Sequence, residues 1–153
     1  MSAERYTLDT NVLVYAVERS EGWKHQLAAE IVDRSIDRPC ILTLQALAEF
    51  VAVLSRKRAD EKPFAIGQAQ DWLSTFPVTG ATVEAFRSAL GAFEAGRVGV
   101  WDGLLLATAR KAGCDVALSE DMYDRGTLLG ITVRNPFVAG GLPDDLRALL
   151  GMT

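Results

Sequence analysis

The stretch RYTLDTNVLVYAV, residues 5–17, decides the fold class. Its first four residues, 5–8, predict a short strand, which ends at the helix-capping run Asp9-Thr10-Asn11. The apolar residues 12–17 then predict a short helical segment. A strand that leads through a capping residue directly into a helix is the repeating unit of α/β domains.

The rest of the chain continues this alternation of strands and helices. We predict further strands at 40–42, 77–78, 115–118 and 131–134. We predict further helices at 21–37, from 43 or 44 to 57, and at 62–76, 81–94, 101–112 and 143–150. The strands are apolar runs without polar alternation, which indicates a parallel sheet between two layers of helices. The sequence therefore predicts a three-layer α/β fold with a central, mostly parallel sheet of about five strands.

Composition excludes several classes of protein and of site. The 153 residues, 49% hydrophobic and 24% charged, predict a single globular domain spanning 1–153. Two isolated cysteines and one histidine exclude a zinc knuckle, a disulfide scaffold and a multi-histidine metal site. The start of the chain does not resemble a signal peptide, and no apolar run approaches the about 20 residues that span a bilayer. We therefore expect a cytoplasmic protein without membrane association.

Four acidic residues stand at notable places along this pattern. Asp9 ends the first strand, and Glu49 lies in a helix that is apolar on almost every side. Asp102 opens the helix 101–112, and Asp121 follows the strand 115–118. Each acid also has an ordinary structural explanation when taken alone. Asp9 could cap a helix, and Glu49 could lie on a narrow solvent-exposed stripe of its helix. Asp102 could interact favourably with the helix dipole, and Asp121 could belong to an ordinary surface loop.

The joint placement of these acids is more informative, because all four fall at the same edge of one parallel sheet, where ligands bind in such folds. Clustered carboxylates repel one another unless a cation lies between them. Oxygen ligands without His or Cys favour Mg²⁺ or Mn²⁺, a site suited to phosphoryl displacement by metal-activated water. The net charge of −4 argues mildly against nucleic-acid binding. However, the other 16 acids balance the 16 Lys and Arg, so the negative net charge comes from the four clustered acids, and the rest of the chain is neutral.

Four segments of the chain resemble the acidic motifs of the PIN domain. They are DTNVL at 9–13, the helix around Glu49, WDGLLLATA at 101–109 and LSEDM at 118–122. The ending ITVRNPF at 131–137 is similar to the last strand of VapC-type toxins, which belong to bacterial type II toxin–antitoxin systems. The resemblance covers about residues 5–137 and depends on four motifs in order at fitting spacings.

This resemblance implies a Mg²⁺-dependent endoribonuclease, with Mn²⁺ as a possible substitute. The implied catalytic and metal-binding acids are Asp9, Glu49, Asp102 and Asp121. The implied supporting polar groups are Thr10, Asn11 and Ser119. Asp9 and Asp102 are the implied direct metal ligands, and Asp124 is an alternative to Asp121 as the fourth acid. The implied partners are an RNA substrate, a small cognate antitoxin protein and a second copy of the chain.

Other functions stay open at this point. The acids could belong to a PIN-like module that binds a metal or a partner without cutting, or to an RNA-processing nuclease unrelated to toxin–antitoxin systems. An aspartate-nucleophile phosphatase is disfavoured, because Asn11 stands where its Asp-x-Asp motif needs the second acid. The basic run at 56–58, with Lys62, is interpreted as a solvated helix end more readily than as a phosphate-binding patch.

Packing explains the remaining conspicuous residues. We interpret His25 as a helix-surface residue and the two cysteines as buried thiols. The three tryptophans are interpreted as core or dimer contacts: Trp23, Trp72 and Trp101.

Overall fold

The computed structural model describes residues 4–122 and 126–152. These residues form six strands and seven α-helices. In chain order the elements are β1 (Tyr6–Leu8), α1 (Thr10–Val17), α2 (Trp23–Ser35), β2 (Leu42–Thr43), α3 (Leu44–Lys57), α4 (Lys62–Thr75), β3 (Val78–Thr79), α5 (Val83–Glu94), α6 (Val100–Lys111), β4 (Val116–Leu118), β5 (Thr127–Leu128), β6 (Ile131–Arg134) and α7 (Asp144–Leu149).

The central sheet has the strand order β1-β4-β6-β5, with helices on both sides. β1, β4 and β6 are parallel, and β5 is antiparallel to β6. β2 and β3 form a separate parallel pair that adjoins β1 through the bridge between Tyr6 and Cys40. The α/β fold with a mostly parallel sheet is confirmed.

One strand, β5, was not expected from the sequence. It is only two residues long and joins β6 through Leu129 and Gly130, whose φ angles of 54° and 78° lie in the left-handed region. Consecutive left-handed residues are typical of a tight hairpin turn. The short TLLG run carries no strand pattern of its own, so the hairpin depends on pairing with β6.

Local capping explains most differences between predicted and observed boundaries. α1 begins at Thr10, two residues before the predicted segment, because Asp9 caps it. α5 begins at Val83, because the hydroxyl of Thr82 accepts from the backbone of Ala85. The predicted helix 21–37 is instead the shorter α2, preceded by a 3-10 turn and by Gly22 at φ 61°. None of the helices in the described residues is both long and apolar enough to cross a membrane.

The core lies on both faces of the buried strands. Every residue of β1 and of β4 is buried. Trp72 is buried and packs edge-to-face on Phe50 at 4.8 Å between ring centroids, and Cys40 and Cys114 are buried free thiols. Packing within this chain thus accounts for Trp72 and for both cysteines, as the sequence suggested.

Strand register fixes where the polar residues emerge. β1 and β4 pair Leu8 with Leu118, so the next residues, Asp9 and Ser119, leave the sheet side by side. The backbone N–H of Asp9 donates to the carbonyl of Leu118 at 2.9 Å and prolongs this pairing by one step. The carboxyl ends of the parallel strands therefore carry the first polar groups of the candidate site.

Candidate active site

All four predicted acids line one cavity of about 280 Å³ at this edge of the sheet: Asp9, Glu49, Asp102 and Asp121. Thr10 and Asn11 line the same cavity, and Tyr15 stands at its wall. The acids come from four separate segments of the chain: the end of β1, the middle of α3, the first turn of α6 and the loop after β4. The fold therefore brings together residues that are more than one hundred positions apart in sequence.

Asp9 is the most buried of these acids, with 6% of its surface exposed. One carboxylate oxygen, Oδ1, accepts from the backbone N–H of Thr10 at 2.7 Å, so Asp9 is indeed a helix cap. The other oxygen, Oδ2, accepts from the hydroxyl of Ser119 at 2.7 Å and from the amide of Asn11 at 3.3 Å. These three hydrogen bonds hold the carboxylate in one orientation.

Burial raises the pKa of Asp9 to about 6, and the negative charges of Asp102 and Glu49 add to this effect. The hydrogen bonds from Ser119 and Thr10 act in the opposite direction but do not cancel it. An ionised Asp9 therefore lies in a place that favours a nearby positive charge.

Ser119 connects Asp9 to the loop that carries Asp121. Its hydroxyl is fully buried and, besides donating to Asp9, accepts from the backbone N–H groups of Asp121 at 3.2 Å and Met122 at 3.4 Å. The side chain of Asn11 strengthens the same link, because its oxygen accepts from the N–H of Glu120 at 3.2 Å. The loop after β4 is thus tied to the end of β1 by side chains rather than by a strand.

Glu49 is partly buried between two donors and does not lie on an open solvent stripe. One oxygen accepts from the hydroxyl of Thr10 at 2.9 Å, and the other accepts from the side-chain amide of Gln45 at 2.9 Å. The same amide nitrogen of Gln45 also donates to the backbone carbonyl of Trp101 at 2.9 Å. Gln45 therefore joins α3 to the first turn of α6 next to the cavity.

Asp102 and Asp121 complete the cavity wall. Burial raises the pKa of Asp102, and the charges of Glu49 and Asp121 raise it further. Asp121 itself is exposed. Asp124, the alternative fourth acid, lies outside the described residues.

The donor set fits a hard divalent cation in its chemistry. Within residues 4–122 and 126–152 no three His, Cys, Asp or Glu side chains are arranged to hold an ion between them as they stand. Mg²⁺ does not require such a cage, because it usually binds through one or two carboxylates and keeps several waters. Several carboxylates line one cavity, and burial together with their mutual repulsion raises the pKa of Asp9 and of Asp102, which suits that mode of binding.

Comparison with known proteins assigns the family. A family model described as the PIN domain matches residues 6–123. The chain belongs to the PIN domain family. That match includes all four acids of the cavity. No curated protein matches the chain in sequence.

Solved structures show the same PIN fold at low sequence identity. VapC20 of Mycobacterium tuberculosis, described as a toxin that cleaves the sarcin–ricin loop, has a TM-score of 0.61 at 16% identity, covering 73% of this chain and 86% of VapC20. VapBC2 of Rickettsia felis, bound to a promoter DNA fragment, has a TM-score of 0.62 at 15% identity, covering 85% of this chain and 97% of the matched chain. DNA-bound VapBC of Salmonella typhimurium has a TM-score of 0.61 at 15% identity, covering 86% of this chain and 98% of the matched chain.

A second group of side chains at the rim of this PIN domain cavity was missed by the sequence reasoning. The hydroxyl of Tyr15 donates to Glu120, and the ammonium of Lys24 pairs with the other oxygen of Glu120 at 2.6 Å. Lys24 also lies 5.4 Å from the centre of the Tyr15 ring. Glu120 raises the pKa of Tyr15 by accepting its proton in a hydrogen bond.

Helical spacing contained a signal for two of the missed residues. Tyr15 is four residues after Asn11 on α1, and Gln45 is four residues before Glu49 on α3, so each pair shares a helix face. His25, predicted as a surface residue, is partly exposed on α2, and its Nδ1 lies 2.9 Å from the backbone carbonyl of Tyr15.

Proposed function

We propose that this PIN domain, residues 1–153, is a Mg²⁺-dependent endoribonuclease and the toxin of a bacterial toxin–antitoxin pair. The observation on which this proposal depends is the single cavity lined by Asp9, Glu49, Asp102 and Asp121. We propose further that the protein is cytoplasmic, that it forms homodimers, and that a small antitoxin holds it inactive.

The four acids and the polar residues around Asp9 have different parts in this proposal. Asp9 and Asp102 would hold the cation, with Glu49 and Asp121 completing the acidic site. A divalent cation supplies activation of the attacking water and neutralises charge on the scissile phosphate. Ser119 and Asn11 keep Asp9 turned toward the cavity through the hydrogen bonds to Oδ2.

Thr10 has two contacts that matter for the geometry. Its backbone N–H fixes Asp9, and its hydroxyl fixes Glu49. One residue therefore sets the relative position of two carboxylates that come from different segments of the chain. A small displacement of catalytic groups can cost a large factor in rate.

The toxin assignment is supported by the solved structures with the same fold. One of them is described as a toxin that cleaves the sarcin–ricin loop, and the other two are VapBC complexes bound to DNA. At 15–16% identity they support the fold directly and the biological role by analogy.

Cleavage of total bacterial RNA by the purified chain tests the activity. We expect discrete fragments in Mg²⁺, none in EDTA, and none from Asp9→Asn in Mg²⁺. Asp71→Asn is a matched control, because Asp71 is an exposed acid on α4 that does not line the cavity. Fragments that persist in EDTA, or with Asp9→Asn, would refute the proposed chemistry.

Expression in a bacterial host tests the toxin role separately. We expect the wild-type chain to arrest growth and Asp9→Asn to have no effect at equal protein level. Mg²⁺-dependent cleavage in vitro without growth arrest would favour an RNA-processing nuclease over a toxin.

A second candidate, a PIN-like module that binds without cutting, is favoured by one observation. Both oxygens of Asp9 and of Glu49 already accept hydrogen bonds from neighbours within the chain. These carboxylates therefore have hydrogen-bond partners even when no substrate is bound. Calorimetric binding of Mn²⁺ by the wild-type chain but not by Asp9→Asn, together with failure to cut any RNA tested, would identify this alternative.

A further inference from the structure

Asp121 lines the acidic cavity without a side-chain anchor of its own. Its carboxylate has no hydrogen bond or ion pair with any other described residue, and its backbone N–H donates to the hydroxyl of Ser119 at 3.2 Å. Asp121 is also exposed, whereas Asp9 is buried. The position of the fourth acid therefore depends on how the loop after β4 is held.

Glu120, the residue before Asp121, holds this loop against two helices. One carboxylate oxygen, Oε1, accepts from the hydroxyl of Tyr15 on α1. The other, Oε2, pairs with the ammonium of Lys24 on α2 at 2.6 Å. The backbone N–H of Glu120 donates to the side-chain oxygen of Asn11 at 3.2 Å. Side chain and backbone of Glu120 are thus fixed together, and we call these three contacts the Glu120 anchor.

The Glu120 anchor is partly shielded from solvent. The side chains of Glu120 and Lys24 are only 19% and 30% exposed. Salt screens a partly buried ion pair less than an exposed one, and hydrogen bonds to an ionised carboxylate are stronger than those between neutral groups. Tyr15 is itself held in place, because its ring packs edge-to-face on Phe137 at 5.1 Å between ring centroids. The anchor therefore depends on packed side chains on both sides.

The contacts of Glu120 favour a supporting part over direct contact with a cation. Tyr15 and Asp121 both line the acidic cavity, but Glu120 does not. Its two carboxylate oxygens face Tyr15 and Lys24 instead. The carboxylate next along the chain, that of Asp121, is the one that reaches the cavity wall.

We propose that Glu120 is a positioning residue that acts through Asp121. Its anchor to Tyr15 and Lys24 keeps Asp121 at the cavity wall, where the Asp121 carboxylate helps to bind the divalent cation. Residues that hold metal-binding side chains in place commonly have a strong effect on metal affinity without touching the ion. This inference rests on the proposed metal-dependent function and adds the contacts that set the position of the fourth acid.

Calorimetric titration with Mn²⁺ tests the inference without any cleavage reaction. The proteins compared form a double-mutant cycle: the wild-type chain, Glu120→Ala, Asp121→Asn and the double variant. We expect Glu120→Ala alone to weaken Mn²⁺ binding about tenfold. In the Asp121→Asn background the same change should weaken binding by less than about twofold, because the acid through which Glu120 acts is already lost.

Two milder variants test the Glu120 anchor even if Glu120→Ala folds poorly. Tyr15→Phe keeps the ring and removes the hydroxyl, and Lys24→Met keeps an unbranched side chain without the charge. Each should weaken Mn²⁺ binding about threefold, because the other oxygen of Glu120 keeps its partner. Glu61→Ala is the matched control and should leave Mn²⁺ binding unchanged. Glu61 is 23% exposed and pairs with Arg58, but it does not line the acidic cavity.

RNA cleavage at varied Mg²⁺ concentration supplies a second readout. We expect Glu120→Ala to need about tenfold more Mg²⁺ for half-maximal cleavage and to regain most of the wild-type rate when Mg²⁺ is saturating. Asp9→Asn should not be rescued by Mg²⁺, because the proposed function makes Asp9 a direct ligand. A purely structural Glu120 would lower the Tm of its variant without changing the Mg²⁺ requirement.

Three results would overturn the inference. Unchanged Mn²⁺ affinity in Glu120→Ala, Tyr15→Phe and Lys24→Met would show that the anchor does not affect the cation. Equal losses in both backgrounds of the cycle would show that Glu120 does not act through Asp121. A wild-type chain that binds no Mn²⁺ would overturn both this inference and the proposed metal site. A wild-type chain that binds Mn²⁺ but cuts no RNA would count against the ribonuclease proposal alone, and the cycle would still decide the role of Glu120.

Discussion

Replacing Asp9 by Asn is expected to stabilise the metal-free protein at neutral pH while abolishing cleavage. Folding raises the pKa of Asp9 from 3.8 to about 6, so the folded chain binds this proton more tightly than the unfolded chain does. The resulting stabilisation is complete below about pH 4 and is lost as the pH rises through about 6. Above that range the ionised Asp9 weakens the fold.

The size of the effect follows from the same pKa. A change from 3.8 to about 6 corresponds to an upper bound of about 3 kcal/mol, at about 1.4 kcal/mol for each tenfold change in proton affinity. Asn recovers less than this, because its NH₂ group would face the amide of Asn11 and the hydroxyl of Ser119, which now donate to Oδ2. Subtracting about 1 kcal/mol for that mismatch leaves about 2 kcal/mol, or about 4–8 °C in Tm for a chain of this size.

Thermal unfolding in EDTA between pH 4 and pH 8 measures this difference. We expect the Tm of Asp9→Asn to equal or fall slightly below that of the wild-type chain at pH 4 and to exceed it at pH 7. The difference should grow mainly between pH 4 and pH 6. Asp71→Asn, at an exposed position, should show no such trend. A variant less stable than the wild-type chain at every pH would show that Asp9 acts mainly as a helix cap and would refute this reasoning.

Three further predictions concern single residues. Ser119→Ala should lower the free energy of unfolding by about 2 kcal/mol, because Asp9 and two backbone N–H groups lose a buried hydrogen-bond partner. Urea titration measures this change. A decrease below about 0.5 kcal/mol would contradict the role given to this hydroxyl. Asp102→Asn should lower the pKa of Asp9, since the charge of Asp102 raises that pKa. The pKa is measured in EDTA from the chemical shift of the Asp9 carboxyl carbon. An unchanged pKa would show that the two acids are too far apart to interact. Gly113→Ala should cost about 1 kcal/mol or more in thermal unfolding, because Gly113 has φ 92°, a left-handed conformation that strains a residue with a Cβ. An unchanged Tm would show that this turn relaxes freely.

The sequence predicted the position of the acids because that position depends on element order. Asp9 follows a strand directly, so its place at the sheet edge requires only that the strand be parallel to its neighbour. Glu49 was placed near the same edge by counting residues from the start of α3, and that helix does begin at Leu44, with Thr43 as its cap. Short-range patterns were sufficient for both.

Features that depend on side-chain contacts between elements were not predictable in this way. The amide of Gln45 reaches both Glu49 and the carbonyl of Trp101, 56 positions away, and no local pattern encodes the second contact. Trp101 was interpreted as a core or dimer contact; its side chain is 66% exposed, which excludes the core position and leaves the dimer contact as a prediction. β5 was missed because two residues are too few to show alternation.

The two borders of the central sheet bear on how this chain can associate with itself. One border is β5, only two residues long, and the other, β1, is flanked by the segment at 39–41, which hydrogen-bonds to Tyr6. A sheet with such short borders offers little template for strand addition, which is the usual route to edge-to-edge aggregation. The helices offer a larger apolar surface for association than the sheet borders do. α5 exposes four large apolar residues at helical spacing: Val83, Phe86, Leu90 and Phe93. Self-association of this chain is therefore expected to proceed through helix faces, and amyloid-like growth from the sheet is disfavoured.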